Sequence, residues 1–295
     1  MVLTVTGRLV NALDRGQGVA GVIKGQGFGE VTTQADGTFA VQVNVPGPYR
    51  VSIAAAGFVE RETGLQIPGP HAEISLIPAS FDLVTYDQLA RAQTGPPGSG
   101  MTRWVNPPRL LIYTRLIDCT SGGRVVVLAE VIPDEEINAA IAVLREALDG
   151  LSGGAFRDFV EVIRDPGTVG ETRHLDDIRW SGTIHVGACP SISNGSDGAG
   201  RILRPDRSFV PSIAAAFWKK GPAPSRLRAT QQHELGHALG LSHTFTATPS
   251  IMSETKPGLS VGWFDRLAGQ IMFQRPPGNR SPDIDPESFV VNGGM

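Results

Sequence analysis

The feature that most constrains the fold is a short run, residues 231–243, that contains three of the six histidines in the chain. His233 and His237 are four residues apart, so in a helix their side chains lie one above the other on a single face. Gly240 follows them, and glycine tolerates the positive φ with which a helix commonly ends. His243 can then approach the first two histidines from the next loop. The run therefore predicts a helix that ends near Gly240 and three imidazoles gathered around one point.

Three imidazole nitrogens suit Zn²⁺. A zinc ion with three protein ligands keeps its fourth position for water, which distinguishes a catalytic site from a closed structural one. Glu234 is not needed as a ligand; beside His233 on the helix, it can take a proton from the water and act as general base. We therefore predict zinc on His233, His237 and His243, with Glu234 as the catalytic residue.

The sequence Ser250–Ser253 places Met252 shortly after the third histidine. The pattern H-E-x-x-H-x-x-G-x-x-H followed by a methionine turn resembles the metzincin metalloproteases, and the run 233–243 looks most like the matrixins among them. The resemblance implies a mixed sheet with two long helices and a protein or peptide substrate that pairs with the edge of the sheet. It also implies that Gly240 and Met252 support the site. Other members of the clan carry a tyrosine where this chain has Glu254, so no tyrosine role is expected.

Residues 1–79 contain short alternating segments separated by Asn, Asp, Gly and Pro, which is typical of a small β-sandwich. Within them, Gln34–Phe39 contains Asp-Gly and predicts a tight hairpin turn. Three segments, Val5–Val10, Asp36–Phe39 and Pro46–Phe58, resemble the carboxypeptidase regulatory-like, transthyretin-related domain. That resemblance implies a scaffolding role or a binding role for an unidentified partner.

At 295 residues the chain exceeds the usual single domain. We expect an α+β protein with four parts. They are a β-sandwich (1–79), a linker with a short helix (80–103), a zinc metalloprotease catalytic domain of mixed sheet and long helices (104–276), and a loose C-terminal tail (277–295).

Within the linker, 81–92 is the expected helix and 94–100 an exposed connector rich in Gly and Pro. In the catalytic part, strands are expected at 109–114, 159–163, 182–187 and 209–218. Helices are expected after Pro133, near Ser225 as N-cap, and over 262–272. The sheet edge is expected within 199–212, and residues 249–262 should line the substrate pocket.

The net charge of −3 gives no general attraction to nucleic acid. No apolar run reaches the length of a membrane span. The N-terminal residues 1–7 are typical of a strand, and no signal peptide is visible. The family resemblance nevertheless implies a secreted protein in an extracellular or periplasmic location.

Three further features leave alternatives open. Cys119 and Cys189, the only cysteines, either form a disulfide that closes a long loop or remain two buried thiols. The loop Ser191–Gly200 could hold Ca²⁺ through oxygen ligands, although a plain surface loop is favoured. His174, Asp176 and His185 only partly match the second zinc site of matrixins, so core or surface histidines are the simpler interpretation.

The alternative to an enzyme is a binding protein with a vestigial or structural metal site and a ligand-binding β-sandwich. The missing tyrosine and the lack of a recognisable pro-segment favour it. Glu234 argues against it, because a structural site needs no base.

Overall fold

A computed structural model describes residues 1–91, 100–119, 123–192, 196–205 and 209–291. It contains both sheets and helices, and so confirms the mixed α+β class. The chain divides into two compact units. The first is formed by residues 1–84 together with Gly100 and the C-terminal residues from Gln274 onward; the second is formed by residues 85–273 apart from that glycine and its neighbours.

Within the part of the first unit that the structure describes, eight strands form two sheets. The strands are β1 (Leu3–Asn11), β2 (Asp14–Gly18), β3 (Val22–Gly25), β4 (Gly29–Thr32), β5 (Thr38–Val43), β6 (Gly47–Ala54), β7 (Arg61–Ile67) and β8 (Ala72–Leu76). One sheet has the order β2-β1-β5, with β8 also paired to β1, and the other has the order β4-β3-β6-β7. Alternate residues of β5 are buried, and strands of both sheets contribute to one apolar core.

The predicted turn at Gln34–Phe39 forms, but it does not make a hairpin. Gly37 has a φ of 84°, and Asp36 Oδ1 accepts a hydrogen bond from the backbone N–H of Thr38 at 3.0 Å. The strands on either side, β4 and β5, belong to different sheets. The prediction was wrong because an Asp-Gly turn fixes the local reversal of the chain and not the pairing of the strands that follow.

Residues 277–291 are not a loose tail, contrary to the expectation for 277–295. Arg275 donates to Asp283 at 2.7 and 2.8 Å, and both side chains are fully buried. Asp285 accepts a hydrogen bond from Arg61 of β7 at 2.8 Å, and these two side chains are also buried. Single bridges join Glu62 to Ile284 and Leu65 to Val291. The composition suggested a tail because it is rich in Pro and Gly, whereas paired buried charges tie the segment to the first unit.

The described residues of the second unit form eight strands and four α-helices. The strands are β9 (Arg109–Tyr113), β10 (Arg115–Asp118), β11 (Arg124–Val131), β12 (Val162–Asp165), β13 (Thr172–His174), β14 (Thr183–Cys189), β15 (Gly198–Pro205) and β16 (Pro211–Lys219). The helices are α1 (Leu83–Arg91, which begins two residues before the unit does), α2 (Asp134–Leu151), α3 (Pro224–Leu239) and α4 (Trp263–Phe273).

The main sheet of the second unit has five strands in the order β12-β9-β14-β16-β15. Its strands are parallel except for β15, which runs antiparallel to β16 and forms one edge. Every residue of the central strand β14 is buried, as expected for a strand covered on both faces. Helices α2 and α3 pack against each other, and α3 packs on β15 and β16. The sheet therefore supports the helix that carries the histidine motif.

A smaller sheet, β10-β11-β13, completes this unit. None of its three strands was expected from the sequence. Cys119, just after β10, and Cys189, at the end of β14, form a disulfide across 70 residues. Of the two alternatives left open by the sequence, a disulfide or two buried thiols, the structure has the disulfide. The bond links the small sheet to the main one.

The segment expected to be a linker, 80–103, is not a linker throughout, because its last residues pack within the second unit. Helix α1 occupies most of the predicted range, and the connector expected at 94–100 lies outside the described residues except for Gly100. Met101 and Arg103 are buried, and Trp104 donates from Nε1 to the carbonyl of Ala238 at 2.9 Å. Residues 101–104 therefore pack within the second unit, against the end of α3.

Candidate metal centre

Helix α3 places two histidines of the motif on one face, as the four-residue spacing predicts. It begins at Pro224 with Ala223 as N-cap, so the prediction of Ser225 as N-cap was wrong, and Ala223 makes no side-chain cap. It ends at Leu239, where Gly240 adopts a φ of 109° and caps the helix with a backbone hydrogen bond. A Cβ atom at Gly240 would also lie 2.1 Å from the carbonyl oxygen of Thr102. Glycine is required here by backbone conformation and by close packing together.

The three predicted ligands meet at one point. The Nε2 atom of His233 lies 3.1 Å from that of His237 and 3.0 Å from that of His243. The Nε2 atoms of His237 and His243 are 2.9 Å apart. Across the described ranges, these three residues are the only group of His, Cys, Asp or Glu side chains that could hold a metal ion.

Each imidazole is oriented through its other nitrogen. Nδ1 of His233 lies 2.8 Å from the carbonyl oxygen of Ile251, and Nδ1 of His237 lies 2.9 Å from that of Leu241. Nδ1 of His243 lies 3.0 Å from a carboxylate oxygen of Glu254. Because carbonyl and carboxylate oxygens only accept hydrogen bonds, the proton of each neutral imidazole must lie on Nδ1. All three Nε2 lone pairs then face one another, which is repulsive unless a cation lies between them.

Burial keeps two of the ligands in the neutral form that binds a metal. Loss of solvent lowers the pKa of His237 to about 3, and the nearby His233 adds to the effect. It also lowers the pKa of His233, partly offset by the hydrogen bond to Ile251. Both imidazoles are therefore unprotonated at neutral pH, with Nε2 available to a cation.

Glu234 lies in the same cleft but outside the ligand group. Its side chain is buried, and burial raises its pKa to about 8, opposed by a backbone hydrogen bond from Gly200. Strand β15 passes very close to it: a Cβ atom at Gly198 would lie 2.3 Å from Glu234 Oε1, and one at Gly200 would lie 2.3 Å from the Glu234 carbonyl oxygen. These two glycines allow the edge strand to cover Glu234, and their role was not predicted from the sequence.

Met252 is fully buried against α3, as expected for a residue that supports the site. A Cβ atom at Gly236 would lie 2.4 Å from Met252 Sδ, so the glycine inside the histidine motif makes room for the methionine sulfur. Gly236 costs about 1 kcal/mol of helix propensity relative to alanine. The contact explains why a glycine occupies the middle of this helix.

Asp265, in α4, holds the segment that carries Met252. Its carboxylate accepts from the backbone N–H groups of Ile251 at 3.1 Å and of Gly262 at 2.7 Å, and from the hydroxyl of Ser250. The same hydroxyl accepts from the backbone N–H of Met252 at 3.0 Å. Sequence reasoning missed this residue, because an acidic side chain in an amphipathic helix is usually solvated.

The histidines line an open cleft of about 500 Å³. One side is formed by the start of β15, including the glycines over Glu234, and α3 forms the floor. The other side comes from the segment expected to line the pocket, through Ile251, Glu254, Pro257 and Gly258. The edge strand expected within 199–212 is β15, so a terminal strand of the main sheet borders the cleft.

The remaining candidates do not join the site. His185 is buried and lies 3.3 Å from the hydroxyl of Tyr113, and His174 is exposed, so they are a core and a surface histidine as the simpler interpretation held. Of the possible calcium loop 191–200, residues 198–200 belong to β15, and residues 193–195 lie outside the described part of the chain. Asp197 pairs with Arg226. The calcium prediction stays untested.

None of the helices in the described ranges has both the length and the apolar character needed to cross a membrane. Comparison with protein-family models and with curated protein sequences finds no match to this chain.

Proposed function

We propose that the protein is a zinc-dependent endopeptidase of the metzincin type. The observation that carries the proposal is the convergence of three Nε2 atoms, each left unprotonated by an acceptor on its Nδ1. Ligands about 2.0–2.1 Å from a tetrahedral zinc are about 3.3 Å apart, close to the separations found here. No fourth His, Cys, Asp or Glu of the described residues joins the group, which favours an open position over a closed structural site.

Held by His233, His237 and His243, a zinc ion would lower the pKa of a bound water to about 7 and would polarise the carbonyl of the substrate. Glu234 then has a defined task. Its carboxylate accepts a proton from the water that attacks the peptide carbonyl carbon, and it returns that proton to the amine nitrogen as the C–N bond breaks. Burial under β15 raises the pKa of Glu234, whereas the charge of a cation bound nearby would lower it again, so the carboxyl group can both accept and return a proton.

The cleft suits an extended peptide as substrate. Strand β15 ends the sheet order on the side that borders the cleft, so its outward backbone groups can pair with a peptide as an additional strand. A side chain next to the cleaved bond would enter the space beside Ile251, Pro257 and Gly258. This arrangement favours a protein or peptide substrate over a small molecule.

We further propose that the first unit is a carboxypeptidase regulatory-like β-sandwich with a binding or scaffolding role. Two sheets that share one apolar core support this assignment. An extracellular or periplasmic location agrees with the disulfide, since disulfides persist in oxidising compartments.

Hydrolysis of unfolded casein tests the proposal. The full chain loaded with zinc should cleave casein, and removal of the metal by 1,10-phenanthroline should abolish cleavage. Glu234→Gln, which keeps the shape of the side chain but cannot accept the proton, should reduce kcat at least about 10²-fold while zinc binding persists. Glu60→Gln, an exposed change in the first unit, serves as the matched control.

The rival function, a binding protein with a structural metal site, predicts a different pattern. Zinc would then be held without casein cleavage, and Glu234→Gln would have no effect on any peptide assayed. Cleavage that survives both chelation and Glu234→Gln would overturn the endopeptidase proposal.

A further inference from the structure

We propose that Glu254 is a positioning residue for the third metal ligand, His243, and that it increases the retention of the ion. The inference rests on the proposed zinc site. Glu254 contributes no ligand atom to the group of three histidines. It acts on the site through the imidazole of His243, whose Nδ1 lies 3.0 Å from Glu254 Oε1.

The three ligands differ in what holds them. His233 and His237 belong to α3, and their Nδ1 atoms point to backbone carbonyls of Ile251 and Leu241. His243 lies outside the helix, and its partner is a side chain. The third ligand is therefore the one whose orientation depends on a residue that can be changed without altering the backbone.

Backbone pairing brings the two side chains together. The N–H of Thr244 donates to the carbonyl of Met252 at 2.9 Å, and the N–H of Glu254 donates to the carbonyl of Thr244 at 2.9 Å. A single parallel bridge joins Thr244 to Ser253. This pairing holds the backbone that follows His243 beside the backbone that leads to Glu254, so the two side chains come within reach of each other. The contact between His243 and Glu254 follows from the fold of the methionine segment.

The carboxylate should strengthen the site in two ways. As an acceptor on Nδ1, it fixes the tautomer that leaves Nε2 free and increases the basicity of that nitrogen. Its charge also favours a cation nearby. Solvent weakens the electrostatic effect of the carboxylate on the cation, because the side chains of His243 and Glu254 remain 37% and 49% exposed. The effect expected is therefore on metal affinity and on the geometry of the third ligand.

The test is competition for zinc between the full-length protein and a chromophoric chelator, with the free zinc concentration fixed. Glu254→Ala should weaken zinc binding by about 10- to 100-fold, the range found for loss of such outer partners. Glu254→Gln, which keeps an acceptor oxygen without the charge, should lie between Glu254→Ala and the wild type. Glu60→Gln should leave the affinity unchanged.

A second readout uses the protein loaded with Co²⁺, whose visible absorption reports ligand geometry. The spectrum should change in Glu254→Ala and be partly restored in Glu254→Gln. Equal zinc affinities and equal spectra in wild type and Glu254→Ala would overturn the inference while leaving the endopeptidase proposal intact. Failure of the wild type itself to bind zinc would overturn both. Glu254→Gln is nearly isosteric and exposed, so a folding defect in Glu254→Ala would still leave a folded variant to decide the matter.

Discussion

The backbone N–H and C=O of Ile251 connect Asp265 to the metal ligand His233. The N–H donates to the Asp265 carboxylate at 3.1 Å, and the carbonyl oxygen lies 2.8 Å from Nδ1 of His233. A carboxylate in α4 therefore sets the position of an oxygen that orients an imidazole on α3. The methionine segment transmits this constraint, because it is held by the same carboxylate at Ile251 and at Gly262.

Asp265→Asn should destabilise the protein and weaken metal binding together. Burial raises the pKa of Asp265, and the ionised form is maintained by three donors, which an amide cannot all accept. We expect a loss of about 2–4 kcal/mol in the free energy of unfolding, measured by urea denaturation of the metal-free protein. Asp149→Asn, at a half-buried surface site paired with Arg266, should change stability by less than about 1 kcal/mol. An Asp265→Asn protein as stable as this control would contradict the assigned role.

Gly198→Ala should impair catalysis more than metal binding. The added Cβ would lie 2.3 Å from Glu234 Oε1, so either the carboxylate or the edge strand must move. A displacement of about 1 Å at a catalytic group can reduce the rate about 10²-fold. Casein cleavage and zinc affinity measured on the same preparation separate the two effects. Glu60→Gln, at an exposed position of the first unit, is the control, and equal rates for the two variants would refute the prediction.

Reduction of the Cys119–Cys189 bond should lower the stability of the second unit. The bond closes a loop of 70 residues, for which the chain-entropy model gives about 4 kcal/mol. Thermal unfolding with and without a reductant measures the difference. The double variant Cys119→Ala/Cys189→Ala should have the same melting temperature as the reduced wild type. The variant should be insensitive to reductant. An unchanged melting temperature on reduction of the wild type would show that the bond adds nothing to stability.

His185 should make the protein sensitive to mild acid. Burial lowers its pKa to about 4 from 6.5, with Arg173 contributing. Between these pH values the unfolded chain binds a proton that the folded protein excludes, so the stability from this residue is complete above pH 6.5 and is lost as the pH falls toward 4. The limit of the loss is about 3 kcal/mol.

Urea denaturation at several pH values checks this expectation. His185→Phe keeps a flat ring against Trp180 and Tyr113 but cannot titrate, so its stability should fall less than that of the wild type between pH 6.5 and 4. His71→Gln, at an exposed site, should follow the wild type. If the stability of His185→Phe and of the wild type changed with pH in the same way, His185 would be ruled out as the source of the acid sensitivity.

The parts of the site that could be predicted from the sequence are those set by local geometry. The spacing of His233 and His237, the glycine cap and the nearby Met252 each depend on neighbours along the chain, and α3 was expected to begin within two residues of its observed start. Asp265 could not be predicted in the same way, since its role appears only when α4 packs beside the methionine segment. The role of Gly198 could not be predicted from the sequence either, because it depends on the close approach of Gly198 to Glu234 in the folded protein.

At the level of the fold, strands and helices with a clear apolar period were expected close to their observed positions. The small sheet β10-β11-β13 was missed, as two of its strands have only four and three residues. The C-terminal segment was mistaken for a tail, because the partners of its charged residues lie far away in sequence. Arg61, for example, is separated from Asp285 by 224 positions.

The C-terminal segment has a consequence for the synthesis of the protein. Residues from both ends of the described chain form the first unit, so the second unit is an insertion within it. A ribosome releases the chain from its N-terminus, and domains fold as units while it emerges. Arg61 of β7 therefore has no carboxylate partner until the whole of the second unit has been translated and Asp285 follows it. The unit that begins first is completed last.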